Sequence, residues 1–217
     1  MNRKAFIFDL DGVIVDTAKY HYLAWKELAD ALHIHFTEAE NEHLKGVSRV
    51  RSLEIILELG KVKLPEEKKK ALLTSKNDEY LSYVNKMTPS EILPGVMEVL
   101  DYLDANAIEY ALGSASKNAL LILDKVGLKH RFTAIVDGNE VSKAKPDPEV
   151  FLIGAKKLNV NPENCIVVED AIAGIAAANA AHMLSIGIGD KNVLQEADYV
   201  FKDMTAITAE FLKKIIS

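Results

Sequence analysis

Six short apolar runs recur along the chain, and most of them are bounded by Gly, Asp, Asn or Ser. Apolar runs of this length between turn-forming residues predict buried β-strands rather than helices. The runs are AFIF at 5–8, YALG at 110–113, AIV at 134–136, IVV at 166–168, MLSIGI at 183–188 and YVF at 199–201. We expect the first strand to begin at Lys4 and to end at Phe8.

Segments with helical periodicity separate the later runs. Between Gly95 and Asn106, for example, Val96, Val99 and Leu103 recur at spacings of three and four residues, which places them on one face of a helix. Helices are predicted over 95–106, 118–126, 148–158 and 171–181. This alternation of buried strands and helices predicts an α/β fold, with helices on both faces of a parallel sheet.

Residues 17–88 have a different pattern, because they contain no convincing strand. Helices are predicted at 20–32, 51–59 and 66–84. A block of helices after the first strand of an α/β domain predicts an inserted all-helical domain. We therefore expect a core made of 1–16 and 89–217, and a helical domain made of 17–88.

Composition narrows the class of protein. The 217 residues include 49% hydrophobic and 27% charged side chains, and the net charge is −6, which argues against a nucleic-acid or anionic membrane partner. The one cysteine, Cys165, excludes an internal disulfide bond and is expected to be a buried thiol. No run has the length of a membrane span, and the first apolar run ends in Asp, unlike a signal peptide. We expect a cytoplasmic protein.

Acidic side chains follow two of the predicted strands. Asp9 and Asp11 come after the first strand, and Glu169 and Asp170 come at the end of a later one. In open α/β sheets, ligands bind at the carboxyl ends of the strands. Clustered carboxylates repel one another unless a cation neutralises them, and an all-oxygen set favours Mg²⁺. The sequence therefore predicts a Mg²⁺ site there.

The same strand ends offer groups that can bind and transfer phosphate. Asp9 is a candidate nucleophile that forms an aspartyl-phosphate, and Asp11, two residues on, is a candidate general acid and base. Lys145 can pair with carboxylates and phosphate together. Ser114 and backbone N–H groups near Asn118, at the start of a predicted helix, can bind phosphate oxygens.

Each candidate also has a purely structural interpretation. Asp9 and Asp11 can cap a turn, Glu169 and Asp170 can cap a helix, and Lys145 can be a surface lysine. Ser116 and Asn118 can likewise cap a helix, and Lys45 and Arg49 can be solvated surface residues. His21 and Lys76 can be structural hydrogen-bonding residues, and Trp25 can be a core residue.

Taken in order, four segments resemble the motifs of the haloacid dehalogenase superfamily: DLDGV after an apolar run, Ser114 at a strand end, Lys145 before Pro146, and VVEDAIAGI. The resemblance covers the whole chain and implies a doubly wound Rossmann-like core with a helical cap domain. It also implies that Asp9 is the nucleophile and Asp11 the acid and base. Mg²⁺ would be held by Asp9, the Asp11 backbone carbonyl and Asp170, with Glu169 in support.

Within that superfamily, LKGVSRVRSLEIIL at 44–57, DGVIVDTAKYHYLAW at 11–25 and GSASKN at 113–118 resemble the β-phosphoglucomutase family. The resemblance implies that the cap binds the sugar phosphate and that the core binds the distal phosphate. The implied binding residues are Thr17, His21, Trp25, Lys45, Gly46, Val47, Arg49, Ser52 and Lys76 in the cap, and Ser114, Ala115, Ser116, Lys117, Asn118 and Lys145 in the core.

The implied reaction interconverts β-glucose 1-phosphate and glucose 6-phosphate, with Mg²⁺ as cofactor and β-glucose 1,6-bisphosphate as intermediate. The expected partner is a small sugar phosphate, and the expected state is a monomer. Three alternatives stay open: a Mg²⁺-dependent sugar-phosphate phosphatase of the same fold, a phosphonoacetaldehyde hydrolase, and a non-catalytic binding protein. Asp11 argues against the second, and the complete set Asp9, Asp11, Lys145 and Asp170 argues against the third.

Overall fold

The computed structural model describes residues 4–44 and 47–216. The chain divides into two compact units, one formed by residues up to Asp16 and from Thr88 onward, the other by Thr17–Met87. Thr88 thus falls in the first unit, one residue earlier than the boundary drawn from the sequence.

The second unit is helical in its described residues. It contains α1 (Ala18–Ala31), α2 (Glu38–Glu42), α3 (Arg49–Leu59) and α4 (Glu66–Val84). Its core is apolar and includes Trp25, Leu28, Phe36, Leu53 and Ile56. The short α2 begins at a capping box, in which the Thr37 hydroxyl accepts from Glu40 N–H and the Glu40 carboxylate accepts from Thr37 N–H.

The first unit contains a six-stranded parallel sheet. Its strands are β1 (Ala5–Phe8), β2 (Tyr110–Gly113), β3 (Ala134–Val136), β4 (Cys165–Glu169), β5 (Leu184–Ile188) and β6 (Tyr199–Phe201). Their order across the sheet is β3-β2-β1-β4-β5-β6. The chain therefore winds in one direction through β2 and β3 and in the other through β4, β5 and β6, and β1 lies at the point where the direction reverses. In such sheets this point is where a ligand crevice forms.

Helices connect the strands of this unit. The connecting helices are α5 (Val96–Ala105), α6 (Ala119–Lys125), α7 (Glu149–Leu158) and α8 (Ile172–Ala180), and a further helix, α9 (Ala209–Ile216), follows β6. Helix α5 starts after Gly95, whose φ of 86° lies in the left-handed region. A Cβ there would come 2.4 Å from the Met204 backbone, so both backbone conformation and space favour glycine.

The central strand β1 is buried on both faces. Its residues Ala5 and Ile7 belong to an apolar cluster that includes Phe151 of α7 and Ala177 of α8. Phe8 points the other way, where its ring lies edge-on to Tyr110, with centroids 6.0 Å apart. Burial on both faces explains why the strand is a continuous apolar run rather than an alternating one.

The predicted fold class is confirmed. All six apolar runs are strands, and the predicted helices are present with ends shifted by no more than two residues. Helices α2 and α9 were not predicted from the sequence. Cys165 is buried, and burial raises the pKa of its thiol to about 11. Within the described ranges no helix combines the length and apolarity needed to cross a membrane.

Candidate active site

Carboxylates gather at the carboxyl ends of β1 and β4. Phe8 of β1 pairs with Val168 of β4, and the Asp9 N–H continues the ladder by donating to the Val168 carbonyl at 2.9 Å. This register places Asp9, just past β1, beside Glu169 and Asp170 at the end of β4. One carboxylate oxygen from each of the three lies within 4.8 Å of those of the other two.

Lys145 lies between these carboxylates. Its Nζ donates to Asp9 Oδ1 at 2.6 Å and to Glu169 Oε1 at 3.5 Å. The ammonium also lies 4.8 Å from the centroid of the Phe151 ring, in reach of a cation–π interaction. Only 2% of the Lys145 side chain is exposed, so this charge depends on its partners for stabilisation.

Electrostatics in the cluster show an excess of negative charge. Burial and the nearby charge of Asp9 raise the pKa of Glu169 well above its usual value, although Lys145 acts in the opposite direction. For Lys145, burial alone would lower the pKa, but the charges of Asp9 and Glu169 outweigh it and the pKa of the ammonium is raised. One ammonium thus faces three carboxylates.

A divalent cation fits this set of oxygens. Glu169 Oε2 is buried and has no hydrogen-bond partner among the described residues, which is costly for a carboxylate unless a cation or ordered water contacts it. The cluster has carboxylate oxygens and neither His nor Cys, which favours Mg²⁺ over Zn²⁺. Asp9, Glu169 and Asp170 are the residues that would hold or support it.

Two glycines make room for the carboxylates. A Cβ on Gly12, where φ is 78°, would lie 2.1 Å from Asp170 Oδ2. A Cβ on Gly174, in α8, would lie 1.8 Å from Glu169 Oε1. Any larger residue at either position would have to displace a carboxylate. The glycines of DLDG and AIAGI are therefore part of the site.

The segment after β1 is a tight turn. Gly12 N–H donates to the Val15 carbonyl at 2.8 Å, and Ile14 N–H donates to the Leu10 carbonyl at 2.9 Å. Asp11 forms an isolated bridge with Val15 and is half-buried, in contrast to the buried Asp9. The turn thus gives the two aspartates different environments, which is what distinct roles would require.

The loop after β2 is held by its own hydroxyl groups. Ser114 is buried; its Oγ accepts from Ser116 N–H at 3.1 Å, and Ser116 Oγ accepts from Asn118 N–H at 3.3 Å. Asn118 is the N-cap residue of α6, and its side chain makes no cap hydrogen bond. Ala115 and Lys117, also in this loop, are exposed. The loop lies at the end of the strand that neighbours β1.

In the helical unit, His21, Trp25 and Lys76 form a second cluster. Lys76 is buried, with Nζ 2.8 Å from His21 Nδ1 and 4.5 Å from the Trp25 ring centroid. The His21 ring stacks on Tyr80 at 4.2 Å. Burial, followed by the charges of Lys76 and Arg49, holds the pKa of His21 well below its usual value. A neutral imidazole is therefore favoured beside the Lys76 ammonium.

The remaining predicted binding residues lie in the same helical unit. Thr17 and Ser52 are buried, Val47 is half-buried, and Trp25 belongs to the core of the unit. Arg49 is half-buried, and burial lowers the pKa of its guanidinium. No carboxylate among the described residues forms an ion pair with it. The predictions for Lys45 and Gly46 fall outside the described residues.

Four residues of the two clusters were not identified from the sequence: Gly12, Gly174, Phe151 and Tyr80. The glycines carried a signal, since they lie inside the motifs that supplied the carboxylates. Phe151 and Tyr80 carried none, because their aromatic side chains are equally compatible with an ordinary helix face packed on a core.

Comparison with known proteins agrees with this geometry. Residues 3–182 match the family model of the haloacid dehalogenase-like hydrolases. A β-phosphoglucomutase of Bacillus subtilis is 43% identical over 211 residues, which cover 96% of this chain and 93% of the relative. A phosphorylated carbohydrates phosphatase of Thermotoga maritima is 31% identical, covering 91% and 92%.

A solved structure also shows similarity to a β-phosphoglucomutase. The crystal structure of a β-phosphoglucomutase from Clostridium difficile superposes with a TM-score of 0.93 at 44% identity, covering 99% of this chain and 97% of that one. Because the family model spans most of the sequence, and because the site carries its acidic motifs on the expected strands, this chain belongs to the haloacid dehalogenase-like hydrolase family.

Proposed function

We propose that this chain is a Mg²⁺-dependent phosphomutase that interconverts β-glucose 1-phosphate and glucose 6-phosphate. The observation that carries phosphoryl transfer is the buried Asp9 carboxylate, held by Lys145 at 2.6 Å beside an acidic pair suited to a cation. The choice of a mutase is supported by the 43% and 44% identity to two β-phosphoglucomutases over nearly their whole length.

Asp9 is the proposed nucleophile. The Lys145 ammonium bonds to Oδ1 and orients the carboxylate, while the other oxygen is left for attack on phosphorus. Attack by Asp9 forms an aspartyl-phosphate and releases the sugar oxygen. Mg²⁺ held by Asp9, the Asp11 carbonyl and Asp170, with support from Glu169, would neutralise charge on the transferring phosphoryl group.

Asp11 is the proposed general acid and base. Its half-buried position gives it a more polar environment than Asp9, so it can exchange a proton with a sugar hydroxyl. It gives a proton to the sugar oxygen that leaves the phosphoryl group, and it accepts one from the hydroxyl that attacks phospho-Asp9.

The loop from Ser114 to Asn118 is the proposed phosphate site of the core unit. Ser114, Ser116 and the N–H groups of Ala115 and Lys117 are donors at the end of the strand beside β1, and Lys117 adds a positive charge. Lys145, already bound to Asp9, can contact the transferring phosphoryl oxygens as well.

The helical unit is the proposed substrate-specificity cap. Arg49 supports this role, since its half-buried guanidinium has no carboxylate partner in the described ranges and is suited to bidentate phosphate binding. Lys45, Gly46, Val47 and Ser52 are proposed to bind the sugar phosphate with it. Thr17, His21, Trp25 and Lys76 are proposed as further substrate-binding residues of this unit.

The proposed cycle uses β-glucose 1,6-bisphosphate as the intermediate. The bisphosphate first phosphorylates Asp9, and the 6-hydroxyl of β-glucose 1-phosphate then takes that phosphoryl group. The new bisphosphate turns around and returns its 1-phosphate to Asp9, which leaves glucose 6-phosphate. Exclusion of water protects phospho-Asp9 until a sugar arrives. The protein is proposed to work as a monomer, which light scattering after gel filtration would test.

A sugar-phosphate phosphatase is the second candidate. The specific observation in its favour is the 31% identity to a phosphatase of phosphorylated carbohydrates over nine-tenths of both chains. The two activities use the same acidic site and differ in the acceptor of the phosphoryl group, which is water in one case and a sugar hydroxyl in the other.

One assay separates them. The enzyme is given β-glucose 1-phosphate, Mg²⁺ and a trace of β-glucose 1,6-bisphosphate, and glucose 6-phosphate and free phosphate are followed in parallel. The mutase predicts glucose 6-phosphate with little free phosphate, and no product from Asp9→Asn or in excess chelator. Free phosphate without glucose 6-phosphate would assign the protein to the phosphatases, and full activity of Asp9→Asn would reject both.

A further inference from the structure

The segment that delivers Lys145 to Asp9 has little support of its own. Residues 141–148 form neither helix nor strand, and Ser142, Lys143 and Ala144 are exposed. Yet Lys145 is buried and its Nζ is held at 2.6 Å from Asp9. Something outside the immediate neighbourhood of Lys145 must fix the path of this exposed segment.

Glu149, in the first turn of α7, contacts the segment directly. Its Oε2 accepts from the N–H of Ser142 at 2.8 Å and from the N–H of Lys143 at 2.6 Å. Its Oε1 accepts from the Ser142 hydroxyl at 2.9 Å. These bonds lower the pKa of Glu149, with the Lys143 N–H as the largest cause. Two successive backbone N–H groups of the exposed segment thus end on one carboxylate.

The helix that carries Glu149 is itself fixed to the sheet. Helix α7 packs against β1, β2 and β3, and its Phe151 lies under the Lys145 ammonium at 4.8 Å. The same helix therefore holds the Lys145 segment at its beginning, through Glu149, and at its charged end, through Phe151. A smaller contact, Lys143 Nζ to Asp147 Oδ2 at 3.3 Å, lies on the outside of the segment.

We propose that Glu149 is a positioning residue for phosphoryl transfer: it holds the 142–143 backbone so that Lys145 reaches Asp9. This inference rests on the proposed function, because it assumes that Asp9 is the nucleophile. An acidic residue in the first turn of a helix also interacts favourably with the helix dipole. That interaction would require no bonds to the preceding segment, whereas Glu149 accepts several.

The effect of losing Glu149 follows from the precision that catalysis needs. A misplacement of about 1 Å can cost on the order of 100-fold in rate. Removing the carboxylate leaves the two backbone N–H groups to water and frees an exposed segment. For Glu149→Ala we expect kcat to fall roughly 10- to 100-fold, with a smaller change in KM, since Lys145 acts mainly on the reacting groups.

Conservative and control variants test the geometry. Glu149→Gln retains an oxygen for the two N–H groups and an amide that can donate to the Ser142 hydroxyl, so it should restore kcat to within a few-fold of wild type. Glu98 occupies the first turn of α5 and makes no hydrogen bond among those described. Glu98→Ala therefore removes an acidic residue from the first turn of a helix without affecting the 142–145 segment, and its kcat should equal that of the wild type.

The experiment combines steady-state kinetics with crystal structures of the wild type and Glu149→Ala. We expect the distance from Lys145 Nζ to Asp9 Oδ1 to increase in the variant, or the 142–145 segment to lose order. Melting curves confirm that each variant is folded at the assay temperature. If Glu149→Ala is not folded at the assay temperature, Glu149→Asp takes its place in the experiment. The shorter aspartate side chain cannot reach both N–H groups.

Three results would overturn the positioning role: kcat of Glu149→Ala within twofold of wild type, an equal loss in Glu98→Ala, or an unchanged Lys145 to Asp9 distance. Failure of the proposed function looks different. In that case the wild type itself makes no glucose 6-phosphate, while the distance from Lys145 to Asp9 in the two crystal structures still reports whether Glu149 holds the segment.

Discussion

Replacing Lys145 by methionine should destabilise the folded protein when no divalent cation is present. The exposed fractions of the side chains are 2% for Lys145, 9% for Asp9 and 2% for Glu169. Methionine keeps much of the length and the apolar stem but removes the charge. Removing one partner of a buried ion pair costs about 3–5 kcal/mol, because the remaining charge is left buried without compensation.

The pH dependence of this loss has a definite sign. Burial and the charge of Asp9 already raise the pKa of Glu169 in the folded protein, and loss of Lys145 removes the main opposing charge. Above the ordinary pKa of a glutamate, the folded state then binds more protons than the unfolded state. The free energy of unfolding of Lys145→Met should therefore fall as the pH rises, and its deficit should shrink on acidification from pH ~7.5 to ~5.5.

Urea unfolding, followed by circular dichroism in chelator, measures this quantity at both pH values. Lys157→Met is a matched control, since Lys157 also lies in the first unit and pairs with Glu140, but at an exposed site where a loss below about 1 kcal/mol is expected. Mg²⁺ should recover part of the loss in Lys145→Met. A deficit under about 1 kcal/mol at pH ~7.5, or a deficit equal at both pH values, would refute the electrostatic reasoning.

Two further predictions concern other buried groups. Gly174→Ala should weaken Mg²⁺ binding on the order of tenfold in calorimetry, because its Cβ would lie 1.8 Å from Glu169 Oε1 and would displace that supporting carboxylate. Unchanged affinity would contradict the tight packing around Glu169. Tyr110, whose hydroxyl donates to Asp104, has its pKa raised to about 12, mainly by burial. The folded state keeps this proton to higher pH than the unfolded state, so the free energy of unfolding of the wild type should fall between pH 10 and 12. In urea titrations over this range, Tyr110→Phe should lose less of its free energy of unfolding than the wild type. Equal losses would reject this account of Tyr110.

The strands were the most predictable part of the fold. Runs such as AFIF and CIVV are too short for buried helices, and strands covered on both faces have no polar alternation to obscure them. Helix α2 was missed because five residues are too few for a helical period to stand out. Helix α9 has eight residues, one more than the correctly predicted α6, so its length does not explain why it was missed. A local signal did exist for α2, since Thr37 and Glu40 have the spacing of a capping box.

The candidate site was predictable only in its parts. The types of residue and their positions after strands pointed to Asp9, Glu169 and Asp170, because Asp9 and Glu169 each follow an apolar run directly and Asp170 is the next residue after Glu169. No local signal indicates that Phe151 lies under the Lys145 ammonium or that Glu149 binds the 142–143 backbone. Both contacts depend on how the irregular segment before α7 turns back on that helix.

By itself, the sequence determined which segments are strands and which residues end them, since hydrophobic periodicity and turn-forming residues act over a few neighbouring positions. Only the tertiary structure decided that β1 pairs with both β2 and β4, and therefore that Asp9 and Glu169, far apart in the chain, become neighbours. It also decided that Lys145 is buried between them. Strand order and loop path depend on the packing of the whole sheet, and no short stretch of sequence contains that information.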